Sequence, residues 1–246
     1  MKLLPIICIA ILADSCNTKT KTSPDTIITH IDTLSLPKDS LAFYFPNNSF
    51  SKKPNVDSFV QKWYSSALYS LKEPILSQKF VGHSVYRFLW VGSFHQPVVF
   101  TLQQRDGKVW LNTKMLDQQP RFNNEIISGI SEDEYDEYFK DGFVVDNERK
   151  DMLVRIADRK ANIIYNKNSP LSSNEWNEFE QLLKKANYWI LPTNIDDGSN
   201  DGSEWVIEAH LKNKYHIVSY HSPYNNDYEK AGRFLIKLSG LKVKVY

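Results

Sequence analysis

The chain has 246 residues, with six Trp, thirteen Tyr and thirteen Phe, and a formal net charge of +1. This is enough apolar material for one large domain or two small ones. A near-zero charge without a long basic run argues against nucleic-acid binding, and the only cysteines, Cys8 and Cys16, both lie close to the N-terminus.

Lys2 supplies a short positive stretch, and Leu3 to Ala13 is an apolar run of signal-peptide length. Such a run is too short to cross a bilayer, which needs ~20 apolar residues. It ends in Ala13-Asp14-Ser15-Cys16 and gives way to a polar run from Asn17 to Pro24. This arrangement resembles a bacterial lipoprotein signal, in which a small residue precedes a Cys that is acylated and becomes the new N-terminus. The resemblance implies a signal peptide over 1–15, lipidation of Cys16 with a flexible tether over 16–35, and a folded domain over 36–246. Ala13 stands where such signals usually carry Leu, with Leu12 one place earlier, and Asp14 is unusual at its position. An ordinary secretory signal cut nearby and an uncleaved anchor are the alternatives.

With Cys8 removed and Cys16 acylated, the mature chain would keep no free thiol. That excludes an intrachain disulfide, a Cys metal site and a Cys nucleophile, so the fold must be held by its core. Acyl chains anchor firmly, at ~0.8 kcal/mol per buried methylene. Asn17 brings no acidic retention signal, which points to the outer membrane, facing the periplasm.

After this polar run, Ile27 to Leu34 alternates weakly, as a short strand would. Asp57 to about Leu71 predicts a helix with Asp57 as N-cap. Val60, Trp63, Tyr64, Ala67, Leu68 and Leu71 form its apolar face, and Pro74 stops it. The pattern then turns to strands at Tyr86–Val91, Val98–Leu102 and Val109–Thr113, rich in β-branched and aromatic residues. Asp106-Gly107 is a hairpin turn signal, because both positions tolerate positive φ. Three antiparallel strands in a meander are expected. Ser131 begins a short helix ending at Gly142, whose acids Asp133, Glu134, Asp136 and Glu137 read as a solvated face. Ala161 to Tyr165 reads as one more strand.

Ser172 and Glu175 fit a capping box, with Trp176, Phe179, Leu182, Leu183 and Ala186 on one helix face. Trp205–Leu211 and Tyr215–His221 read as a hairpin closed by Lys212-Asn213-Lys214. Asp227 opens a last helix, with Tyr228, Ala231, Phe234, Leu235 and Leu238 inward and Gly240 as its stop. Val243 to Tyr246 would add an edge strand.

Two groups of residues raise chemistry. Asp197, Ser199, Asp201 and Glu208 have the oxygen-ligand spacing of a calcium loop, with Gly202 at the turn. The entering and leaving helices that such a loop needs are missing, however, and turn-forming aspartates explain the pattern. The second group is Glu208, His210 and His216. Glu208 and His210 share a strand face. A three-residue hairpin loop would set His210 opposite His216, while a two-residue loop would set Ala209 there and separate the cluster. Converged, these side chains could bind zinc or pair a base with its orienting acid. Unconverged, they are polar groups satisfied locally. The aromatic set (Trp90, Trp110, Trp176, Trp189, Trp205, Tyr215 and Tyr220) reads as core, with a ligand groove as the alternative.

Several of these positions occur together: Trp90-x-x-Ser93-Phe94-x-x-Pro97, Asp106-Gly107, Glu175-Trp176, Trp189-x-x-Pro192, Asp201-Gly202-x-x-Trp205-x-x-Glu208, Tyr215-His216-x-Val218 and Ser222-Pro223. As a set they resemble an uncharacterised family of bacterial exported proteins and lipoproteins, over about 85–241. The resemblance implies one continuous domain and brings no known activity. The expected fold is a single α+β domain with an antiparallel sheet and packed helices (helix–meander, then helix–hairpin–helix). The expected function is that of a lipid-anchored envelope protein. It would be a binding or structural module without a cofactor, its partners the membrane and an envelope protein or ligand. The alternative is a metal-binding protein or a hydrolase-type enzyme using the Glu208/His210/His216 face.

Overall fold

The computed structural model describes residues 43–92, 95–120, 161–196, 198 and 202–243, all within one compact unit. The signal segment, the tether, the weak strand at 27–34 and the acidic helix after Ser131 lie outside these residues. Val243 stands in no strand, and 244–246 also lie outside.

The elements in chain order are α1 (Pro54–Ser70), β1 (Ser84–Gly92), β2 (Val98–Arg105), β3 (Lys108–Leu116), β4 (Ile163–Leu171), α2 (Ser173–Lys185), a 3-10 turn (Tyr188–Ile190), β5 (Asn194–Ile195), β6 (Ser203–Leu211), β7 (Lys214–His221) and α3 (Asp227–Ser239). The strands form one seven-stranded sheet in the order β4-β3-β2-β1-β6-β7-β5. Every pairing is antiparallel except β5 with β7. The fold is therefore α+β on one sheet. The expected meander runs from β1 to β3 and gains β4, which extends well beyond the short strand expected at 161–165.

Local chemistry accounts for several element ends. Asp106 (φ 50°) and Gly107 (φ 74°) both sit in the left-handed region that the two-residue β2–β3 turn requires. α2 carries the complete capping box: Ser172 Oγ accepts the Glu175 N–H, and the Glu175 carboxylate accepts the Ser172 N–H at 2.6 Å. Asn226 Oδ1 caps α3 by accepting the Glu229 N–H at 2.8 Å.

The start of α1 differs from expectation. Pro54 opens the helix, where its missing N–H costs nothing. Asp57 is not the cap. Its buried carboxylate turns back to accept the N–H groups of Asn48 and Phe50 at 2.8 Å each and of Ser51 at 3.2 Å. It pins the preceding loop instead of ending the helix.

Strand alternation divides two apolar layers. Tyr86, Phe88 and Trp90 of β1, Phe100 of β2 and Trp205 and Ile207 of β6 pack under α2 and α3. Leu89 and Val91 of β1, Val99 of β2 and Val206 of β6 pack under α1 with Tyr64, Ala67, Leu68 and Leu71. Helices thus cover both faces of the sheet, and the central strands are buried on both sides. α3 comes closest at Gly232, where an added Cβ would stand 2.5 Å from the Trp205 ring and 3.1 Å from Phe88.

Candidate functional site

A polar seam crosses the α1 side of the sheet. In register, Arg87 of β1 lies between Glu208 of β6 and Thr101 of β2. The Arg87 guanidinium forms a buried ion pair with Glu208 and donates to the Pro74 carbonyl at 2.6 Å. Its face lies 5.7 Å from the Tyr44 ring centroid. Tyr215 donates its hydroxyl to the other Glu208 oxygen at 2.7 Å. On the far side, Glu73, just past α1, accepts from Lys114 Nζ at 2.7 Å and from Thr101 Oγ1 at 2.9 Å. It also stands 3.9 Å from Arg87.

The seam's two cations and two anions, Arg87, Lys114, Glu73 and Glu208, are all buried, and formally they cancel. Burial pushes the Glu208 carboxyl above its ordinary range, against the pull of Arg87 and the Tyr215 hydroxyl. Lys114 also donates to the Leu71 and Lys72 carbonyls at 3.0 and 3.3 Å. It thereby satisfies the open end of α1 and complements its dipole. The seam fastens α1 to the sheet.

The hairpin register decides the fate of Glu208, His210 and His216. Leu211 pairs with Lys214 across a two-residue turn, so Ala209, not His210, opposes His216. Glu208 and His210 point to the α1 side. His210 Nδ1 bonds the Leu76 carbonyl, and its ring lies against Phe80 and Tyr215. His216 points to the opposite face, with Nε2 3.2 Å from the Leu191 carbonyl and its ring against Tyr188 and Trp189. The three side chains do not converge. Of the calcium-loop set, Asp197, Ser199 and Asp201 lie outside the described residues, while Glu208 is taken by Arg87 and Tyr215. Among the described residues no three His, Cys, Asp or Glu side chains gather as a metal site.

A different acid–imidazole pair does form. Glu204 of β6 opposes His221 of β7, with Oε1 2.8 Å from His221 Nδ1. The other Glu204 oxygen accepts from Ser219 Oγ at 3.0 Å, and Ser219 Oγ lies 3.0 Å from the Tyr64 hydroxyl of α1. This chain of bonds runs from the rim of the sheet to the buried face of α1. A carboxylate on Nδ1 is the arrangement that orients an imidazole for proton transfer at Nε2.

Sequence reasoning missed Arg87, Glu73 and Lys114. Arg87 had a legible signal, a lone cation inside the run Tyr86-Arg87-Phe88-Leu89-Trp90 on a strand with no polar face. Glu73 had none, because only the chain's return past α1 brings it to Lys114. No family model, curated protein or solved structure matches this chain.

Proposed function

We propose that this is a lipid-anchored protein of the bacterial cell envelope whose folded domain is a binding or structural module. The anchor rests on Lys2, the Leu3–Ala13 run and Cys16, with the outer membrane, facing the periplasm, as its place. The uncharacterised family that the chain resembles is one of exported proteins and lipoproteins, in keeping with this address. The non-enzymatic reading is carried by the separation of Glu208, His210 and His216 onto two faces, each bonded within the fold.

Replacing Cys16 with Ser tests the anchor: the protein should move from the membrane fraction to the soluble fraction, and a variant that stays on membranes would overturn it. Calorimetry of the full chain with Zn²⁺ and Ca²⁺ tests the domain's role. Tight binding of either ion would displace the module reading in favour of a metal-dependent one.

A hydrolase-type reading finds support in one observation, the Glu204–His221 pair. Hydrolysis of generic ester substrates that vanishes in H221N and persists in H216N would favour it.

A further inference from the structure

One corner of the domain combines an exposed apolar tip with a cluster of exposed lysines. The tip is the 3-10 turn after α2, where Ile190 is 82% exposed. Its neighbour Trp189 is half-buried and carries the Lys214 ammonium 3.8 Å from its ring centroid. That contact joins the turn to the β6–β7 hairpin, whose loop adds Lys212. Lys184 and Lys185 close α2 immediately before the turn, and the Asn187 N–H donates to the Lys184 carbonyl at 3.0 Å.

All four lysines are exposed, and none makes an ion pair among the described residues. The chain carries 29 acidic residues, yet none falls between Gln181 and Ile195 or between Ala209 and Asn226. The two segments that build this corner are therefore free of carboxylates.

We propose that this corner is a docking surface for an anionic phospholipid bilayer, an inference that rests on the membrane-anchored reading above. Each part suits the interface between lipid and water. Ile190 is placed to enter the acyl boundary. Trp189 offers an apolar body with a polar N–H, the property that concentrates Trp at membrane interfaces. The lysines can lay their stems along apolar surface while their ammonium groups reach phosphates. Each lysine near an anionic surface contributes roughly fivefold in association at physiological ionic strength. The attraction fades over a Debye length of ~8 Å. A lipid anchor holds the chain at a membrane, and this surface would set which way the domain faces.

The test uses the full chain in a Cys8→Ser background, with a single reporter thiol from Ile190→Cys carrying an environment-sensitive fluorophore. A second version carries it at Ile164→Cys, exposed on β4. Each is reconstituted in phosphatidylcholine vesicles with or without phosphatidylglycerol, and the label is challenged with aqueous iodide and with nitroxide lipid. With phosphatidylglycerol present, the label at 190 should lose most of its iodide quenching and gain lipid quenching, while the label at 164 stays accessible. Replacing Lys184, Lys185, Lys212 and Lys214 together by Glu should restore iodide access.

Three results would overturn the proposal: a label at 190 that stays open to iodide, shielding that is equal on neutral vesicles, or shielding that survives charge reversal. An acidic protein as the true partner would give the first of these. If the chain fails to float with vesicles, the anchor has failed. The same label is then read on the Cys16→Ser chain mixed with phosphatidylglycerol vesicles, where shielding still decides the surface.

Discussion

Arg87 and Glu208 are direct partners across the β1–β6 boundary, and their side chains meet in an ion pair that is 1% exposed on each side. The pair sits where the meander joins the hairpin, so the two halves of the sheet share it. Removing one partner leaves the other charged and dry, a loss of ~3–5 kcal/mol. Arg87→Met and Glu208→Leu should each cost about that much in urea denaturation. The double variant should recover most of it, because two apolar side chains leave no charge to satisfy. Additive losses would show that the two residues act independently.

Lys114 holds Glu73 and the last carbonyls of α1 at once. Lys114→Met should destabilise the fold by ~3 kcal/mol. Its distinguishing sign is local: amide exchange should quicken at the C-terminal turn of α1 more than in α2. Uniform acceleration would mean that the lysine does not secure the helix.

Gly232→Ala sets two effects against each other. Alanine gains up to ~1 kcal/mol of helix propensity over glycine. The new methyl, however, would press on the Trp205 ring, whose atoms stand 2.5 and 2.6 Å from its position. Overpacking of this kind costs ~1–3 kcal/mol, so a net loss is expected, with a changed near-ultraviolet circular dichroism band from Trp205. A net gain would show that α3 can move off the sheet freely.

Burial holds the His216 imidazole below the ordinary histidine range. A depressed value in the fold means that the unfolded chain takes the proton first. The stabilising contribution is therefore full above ~6.5, the unfolded value, and is lost as pH falls through the lower folded value. Between about pH 7.5 and about pH 5, His216→Gln should lose less stability on acidification than the unaltered protein, measured as urea midpoints. Equal losses would show that His216 does not contribute to the acid sensitivity.

Much of the fold is legible in the sequence because its signals are local. The Ser172/Glu175 capping box spans four residues, the Asp106-Gly107 turn two, and the β-branched strand runs five or six. They survive any rearrangement of the rest. The same locality explains the error at Asp57, where a residue with cap chemistry is claimed by amides of Asn48, Phe50 and Ser51 that no sequence window connects to it as partners.

Most of the described helices and strands, the likeness to a lipoprotein signal at Cys16, and the two possible fates of Glu208, His210 and His216 were legible in the residues alone, whereas β5, the 3-10 turn and the full length of β4 were not. The choice between those fates rests on the strand pairing, because strand side chains alternate and one residue of register moves a side chain to the other face. Pairing Leu211 with Lys214 set His216 against Ala209 and left Glu208 to Arg87. The seam of Glu73, Arg87, Lys114 and Glu208 is likewise a product of packing. Its members are up to 135 residues apart, and burial makes each charge depend on finding its partner.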